Sequence, residues 1–278
     1  MKTVTASAAS KLGKFLTKDV HRIFGSAHND AAERLGSFAR STIEYIGKSD
    51  ALYHNFEHTI LVTLVGRDIL QGMLLSQRIE AEDYTHLIVS CLLHDIGYVR
   101  GALADDGGGE FVSDMKGGRV KLARGASDAA LTPYHVDRSK LFALERLKNS
   151  PAIDAQRVAD AIEATRFPPQ PDRETTLEGR LVRAADLIGQ MGDPLYPRKA
   201  NALFFEFDEI GMNRQLGYSS PADIVEQYPS FFWSHVADHL TEGVGFLNLT
   251  DSGRQWIANL HHHVLCAEHR NSLMGPQQ

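Results

Sequence analysis

Apolar residues return at helical spacing along most of this chain. Leu12, Phe15, Leu16, Val20, Ile23 and Phe24 predict an amphipathic helix over 11–24, with residues 1–10 small, polar and frayed. That helix is basic, and we expect it to pack on its own domain. Leu35, Phe38, Ala39, Ile43 and Ile46 form the buried face of a second helix, capped by Asn29 or Asp30 and ended by Gly47-Lys48-Ser49-Asp50. Ile60, Leu61, Leu64, Val65, Ile69 and Leu74 continue the stripe on a third helix, over about 55–76. Residues 87–93 are almost wholly apolar, so 80–96 reads as a buried helix, and Gly97 suits its C-terminal stop. Further helices are expected over about 135–148, 153–165, 175–191, 200–215, 221–240 and 251–269, with Phe167-Pro168-Pro169-Gln170-Pro171 as a stiff connector.

One stretch breaks this pattern. Residues 101–125 hold Asp105-Asp106, Gly107-Gly108-Gly109 and Gly117-Gly118. Within them, 110–115 and 119–122 can pair as a small hairpin around Lys116-Gly117-Gly118. The stretch reads as a surface insertion, or as a lid leaving the edge of a site. The expected fold is therefore all-α with a glycine-rich insertion loop. It is one helical domain over 1–278, with a core over about 30–192 and a C-terminal helical extension over about 193–278.

Composition narrows the function. With 278 residues and 43% hydrophobic content, the chain can bury a large core. A net charge of −6 argues against a general nucleic-acid or anionic-membrane surface. It leaves a phosphate substrate open, because bound metal ions reverse the local charge. Cys91 and Cys266 make no disulfide scaffold. No apolar stretch is expected to reach the ~18 residues of a membrane span. The N-terminus lacks an apolar secretory core, so a cytoplasmic protein is the expectation.

The chemistry concentrates in three short segments. They are Tyr53-His54-Asn55-Phe56-Glu57-His58, Leu92-Leu93-His94-Asp95-Ile96-Gly97 and Ala185-Asp186-Leu187. His58, His94, Asp95 and Asp186 make a ligand set for one or two divalent metals. Adjacent His94 and Asp95 can face one ion at a helix end, where the backbone turns. His54 precedes His58 by four residues, so on a helix the two share a face and His54 is left as an acid or base. His54-Asn55-Phe56-Glu57-His58 also satisfies H-x-x-E-H, an inverted zinc-protease pattern with Glu57 as base, but that reading leaves His94, Asp95 and Asp186 unexplained. The C-terminal histidines His235, His239, His261, His262, His263 and His269 are expected to be packing and surface residues.

These segments resemble the HD-domain metal-dependent phosphohydrolase superfamily, over residues 50–190. Its ordered pattern of a His, an adjacent His-Asp and a distant Asp matches His58, His94-Asp95 and Asp186. Tyr53-His54-Asn55-Phe56-Glu57-His58 is also similar to the signature of class I cyclic nucleotide phosphodiesterases. The resemblance implies an HD-domain helical bundle around a buried metal pocket. It implies hydrolysis of a phosphoester, nucleotide or cyclic nucleotide by a metal-bound hydroxide, with Asp95 bridging two ions and His54 protonating the leaving oxygen. The ions would be Mn, Fe, Zn or Mg. His135 is the candidate ligand of the second ion, Arg138 and Arg166 are candidate phosphate contacts, and Gln190 is a candidate to orient a ligand or water. Members with a six-ligand two-iron site carry a further His where this chain has Glu163-Ala164-Thr165-Arg166. A nucleotide-binding regulatory module and a di-iron oxygenase remain as alternative functions, and the oligomeric state stays open.

Overall fold

The computed structural model describes residues 3–169 and 174–274. It is predominantly helical. α1 (Val4–Phe24) and α2 (Asn29–Ile46) form an antiparallel hairpin. α1 begins at Val4, so the expectation of a frayed start is corrected for the described residues. The Thr3 side chain accepts the Ala6 N–H at 3.1 Å, and the alanines that follow favour the helix once it is capped. The two helices touch backbone to backbone. A Cβ on Gly13 would sit 2.4 Å from the Gly36 carbonyl oxygen, so only glycine allows this approach.

α3 (Phe56–Ser76) and α4 (Ala81–Leu93) follow. α3 is 21 residues long and contains an 18-residue stretch of mean hydropathy 1.3, long and apolar enough by length and composition to cross a membrane. This corrects the expectation that no segment reaches that length. In the fold α3 is a central helix, packed on α2, α4 and three helices described below. Its middle is polar on one side. Arg67 donates to both Asp19 oxygens, at 2.9 and 2.7 Å, and to Asp68 at 2.8 Å. Tyr84 adds a hydrogen bond to Asp19 at 2.8 Å, tying α1, α3 and α4 together.

The insertion carries β1 (Glu110–Val112) and β2 (Arg119–Lys121), an antiparallel pair with Phe111 opposite Val120. α5 (His135–Leu147), α6 (Ala155–Glu163) and α7 (Leu177–Met191) complete the predicted core helices. Residues 170–173, which include the Gln170-Pro171 part of the connector, lie outside the described residues.

Beyond α7 the predicted helices are more broken. The segment expected over 200–215 is α8 (Tyr196–Glu209) and α9 (Met212–Leu216), separated at Gly211, whose φ is +72°. The long helix expected over 221–240 is corrected to α10 (Pro221–Glu226), α11 (Tyr228–Phe231), a π-helical turn and a 3-10 turn. Pro229 removes a backbone donor at the start of α11, and the Tyr228 hydroxyl donates to the Met191 carbonyl at 2.9 Å. α12 (Thr241–Leu247) and α13 (Asp251–Met274) close the chain. α12 presses on α3 and α7: a Cβ on Gly72 would meet the Phe246 carbonyl at 2.0 Å, and one on Gly243 would meet Ala184 Cβ at 2.7 Å. Trp256 of α13 donates to Asp68 at 2.9 Å. One hydrophobic cluster runs from Ala9 and Leu12 in α1 to Leu260 and Val264 in α13, so the C-terminal helices share the core of the rest.

Candidate metal centre

The close packing of α3, α4 and α7 brings the three motifs together. Gly66 of α3 leaves room for Cys91 of α4, where a Cβ would sit 2.7 Å from its sulfur. Gly189 of α7 lies against Val62, where a Cβ would sit 2.9 Å from Cγ2. Asp186 follows Ala184 and Ala185, whose small side chains let α7 approach. Asn55 caps α3 by accepting the Glu57 N–H at 2.8 Å, so His58 lies in the first turn and His54 just outside the helix. α4 ends at Leu93. His94 keeps helical angles, but Asp95 leaves them (φ −110°, ψ 7°), and that bend lets adjacent residues face one point.

Four ligand atoms converge there. His58 Nε2 lies 3.4 Å from Asp95 Oδ2, 3.2 Å from Asp186 Oδ1 and 3.3 Å from His94 Nε2. His94 Nε2 lies 3.2 Å from Asp95 Oδ2 and 3.5 Å from Asp186 Oδ1. An ion with ligands at about 2.0–2.2 Å spans ligand–ligand edges of about 3.0–3.5 Å, so the His58, His94 and Asp95 atoms fit one ion, with Asp186 Oδ1 at the edge of that group beside both imidazoles. His94 Nδ1 donates to the Cys91 carbonyl at 2.8 Å, which leaves the Nε2 lone pair facing the cluster. Asp95 Oδ2 is buried without a hydrogen-bond partner, which suits an atom meant for a cation. His58 Nδ1 fits less well, being buried and equally unpartnered where a metal-bound histidine usually donates.

Electrostatics point the same way. Burial opposes charge on His94, but Asp95 and Asp186 outweigh it and push its pKa well above the ordinary value. Burial also disfavours the two carboxylates, yet His94, with help from His58, holds both well below their usual range. Two carboxylates among imidazoles call for positive charge, which protonated His94 or a divalent ion would supply.

A second constellation adjoins the first. His54 Nδ1 lies 2.5 Å from Glu206 Oε2, and Glu206 Oε1 accepts the backbone N–H of Tyr53 at 2.6 Å and of His54 at 3.2 Å. Burial works against charge on His54, but Glu206 wins and raises its pKa to about 8. The ring of Tyr98 stacks on His54 (centroids 4.7 Å, 9°) and on His135 (4.6 Å, 23°). His135 Nδ1 donates to the Thr132 carbonyl at 2.5 Å, and its Nε2 faces Asp95 Oδ1 at 3.8 Å. The two Asp95 oxygens thus face different partners: Oδ2 the first cluster, Oδ1 His135.

A family profile described as Npun_R2479-like matches residues 4–270. The chain belongs to the Npun_R2479-like family. No curated protein and no solved structure matches it.

Two expected substrate contacts are occupied elsewhere. Arg138 is wholly buried and does not face the cluster. It grips both Asp106 oxygens at 3.0 and 2.8 Å, and the carbonyls of Gly97, Val112 and Val99 at 2.6, 2.7 and 3.0 Å. It is an anchor for the glycine-rich insertion, so its assignment to substrate is corrected; the insertion is pinned at Asp106 and is not a loose surface loop. Arg166 pairs with Glu163 at 2.7 Å and Asp137 at 2.6 Å, which engages its guanidinium in the protein. Gln190 is half-buried one turn past Asp186. Glu57, the base of the protease reading, is half-exposed and ion-paired to Lys199 at 2.9 Å, outside the metal cluster. Glu206 was missed by sequence reasoning. Its signal was a carboxylate set among Phe204, Phe205 and Phe207, a charge inside an apolar run that needs a buried partner.

Proposed function

We propose that this chain is a metal-dependent phosphohydrolase of the HD-domain type, acting on a small phosphoester such as a nucleotide or cyclic nucleotide. The observation that carries this reading is the convergence of His58, His94, Asp95 and Asp186 beside a buried His54–Glu206 pair. A divalent ion held by those four residues would polarise a phosphoryl oxygen and acidify a water molecule. Asp95 Oδ1 and His135 Nε2 are the residues that would hold a second ion.

The chain's own groups supply the rest. Glu206 orients His54 through Nδ1 and favours its protonated form, so the proton on Nε2 is free to pass to the leaving oxygen. Tyr98 fixes the plane of that imidazole from one face and of His135 from the other. Asp186 is the most exposed of the four ligands, at 20%, which makes its side of the cluster the approach for substrate.

The test is the metal content of protein purified without chelators, followed by a phosphoester screen with the metal found. One or two ions per chain with phosphoester turnover is the expected result. Failure to hold any divalent ion after reconstitution would overturn the reading. Metal with nucleotide binding but no turnover would make the chain a binding module, and two irons with oxygen consumption would make it an oxygenase.

A further inference from the structure

α2, α5 and the segment that leaves Asp95 border an open cavity of about 750 Å³, none of whose lining residues belongs to the metal cluster. Its size suits a small organic ligand, which typically takes ~300–1,000 Å³. Phe38, Tyr45 and Phe142 form an aromatic wall. The Tyr45 and Phe142 rings pack at 5.8 Å, and the Tyr45 hydroxyl donates to the Gly101 carbonyl at 3.1 Å, so the wall is held in place.

Two guanidiniums border the same space. Arg34 on α2 and Arg146 on α5 line this cavity, and both also line a neighbouring one of about 660 Å³, so they stand where the two meet. Both side chains are exposed, and among the described residues neither has an ion-pair partner. Two guanidiniums bordering one cavity offer an anion a pair of cationic contacts. Arginine grips phosphate with paired N–H donors, and flat aromatic rings stack on bases. Glu145 adds one carboxylate to the lining, which calls for a ligand with a donor edge as well as negative charge.

We propose that this cavity is a second ligand site that binds a nucleoside monophosphate carrying an exocyclic amino group. The base lies against Phe38, Tyr45 and Phe142, the phosphate lies at Arg34 and Arg146, and Glu145 accepts from the amino edge. Ile96, the residue after Asp95, lies buried beneath the site.

The site is tested by isothermal titration with AMP at low salt, using inosine monophosphate, adenosine and inorganic phosphate as partial probes. Saturable AMP binding is expected, weaker for each partial probe. Arg34→Ala/Arg146→Ala should weaken it by about tenfold or more, as expected for lost charge-assisted hydrogen bonds. Both positions are exposed on helices, where alanine is well tolerated. Asp95→Asn should leave AMP affinity unchanged, which separates this site from the metal centre. The proposal is overturned if wild-type protein shows no saturable AMP binding, if the double-arginine variant binds equally well, or if Asp95→Asn abolishes the signal. It stands or falls independently of the hydrolase reading.

Discussion

Arg138→Met decides whether that arginine serves substrate or fold. The guanidinium is completely buried and makes five hydrogen bonds, two of them to Asp106. Methionine matches the stem in length but strips the Asp106 carboxylate of its cation, leaving it the Val112 and Leu103 N–H groups, and removes a donor from the Gly97, Val99 and Val112 carbonyls. Breaking one side of a buried ion pair costs about 3–5 kcal/mol. For a chain of this size that corresponds to a fall in melting temperature on the order of 10 °C. Urea and thermal unfolding of Arg138→Met, Asp106→Asn and the double variant measure it. The double variant should lose far less than the sum of the two singles, because each single leaves a buried partner stranded. The pH dependence has a definite sign. Burial works against charge on Asp106, but Arg138 holds its carboxyl below the ordinary value. The stabilisation is therefore present above the unfolded carboxylate pKa and is lost as pH falls through the lower folded value. A destabilisation under about 1 kcal/mol, with KM for a phosphoester rising instead, would refute this reasoning and return Arg138 to the substrate.

Other residues give sharper chemical tests. Asp95→Ala should remove metal and activity together, whereas His135→Ala should keep the first ion and lose the second; elemental analysis reads both. Glu206→Gln should leave the metal in place and cut turnover roughly 10- to 100-fold for alkyl phosphoesters but little for nitrophenyl esters, whose leaving group needs no proton. Because His54 acts in its protonated form, rate should fall as pH rises through about 8, and in Glu206→Gln that limb should move to lower pH, since the largest of the effects that offset burial is removed. Gly189→Ala places a methyl 2.9 Å from Val62 Cγ2 and should cost about 1–3 kcal/mol along with metal affinity, while Gly245→Ala, with nothing within 4 Å, should be neutral by the same melting and binding assays.

The candidate ligands were legible because each sits where local sequence already bends or thins the chain. Asn55 announces the cap before His58, the apolar run 87–93 announces a helix that must end near His94, and Ala184-Ala185 announces close helix contact at Asp186. For Glu206 the surrounding phenylalanines signal a buried carboxylate but not which residue it meets. Its partner His54 is 152 residues away, and the pairing depends on the register of α8, which nothing near position 54 encodes. The long helix expected over 221–240 failed for a local reason, since the apolar spacing carried on through Pro229 while the backbone did not.

Gly97 shows how a correct residue can be chosen for an incomplete reason. It reads as a helix stop, yet its φ is not among the positive ones, so no left-handed turn requires it. What requires it is α5: a Cβ there would meet the His135 carbonyl at 2.1 Å and the Ser139 nitrogen at 2.7 Å. Its N–H donates to Ser139 Oγ at 2.8 Å, and its carbonyl accepts from Arg138 at 2.6 Å, so both of its backbone polar groups are spent on α5. The turn carrying Asp95 is thereby clamped to the helix that begins with His135. The same clamp, through Arg138 and Asp106, fixes the start of the insertion. The distance between Asp95 and His135 is thus set by a glycine two residues from the carboxylate and by an arginine that never faces the site. That is why the arginine resembled a substrate contact when only its spacing from His135 was in view.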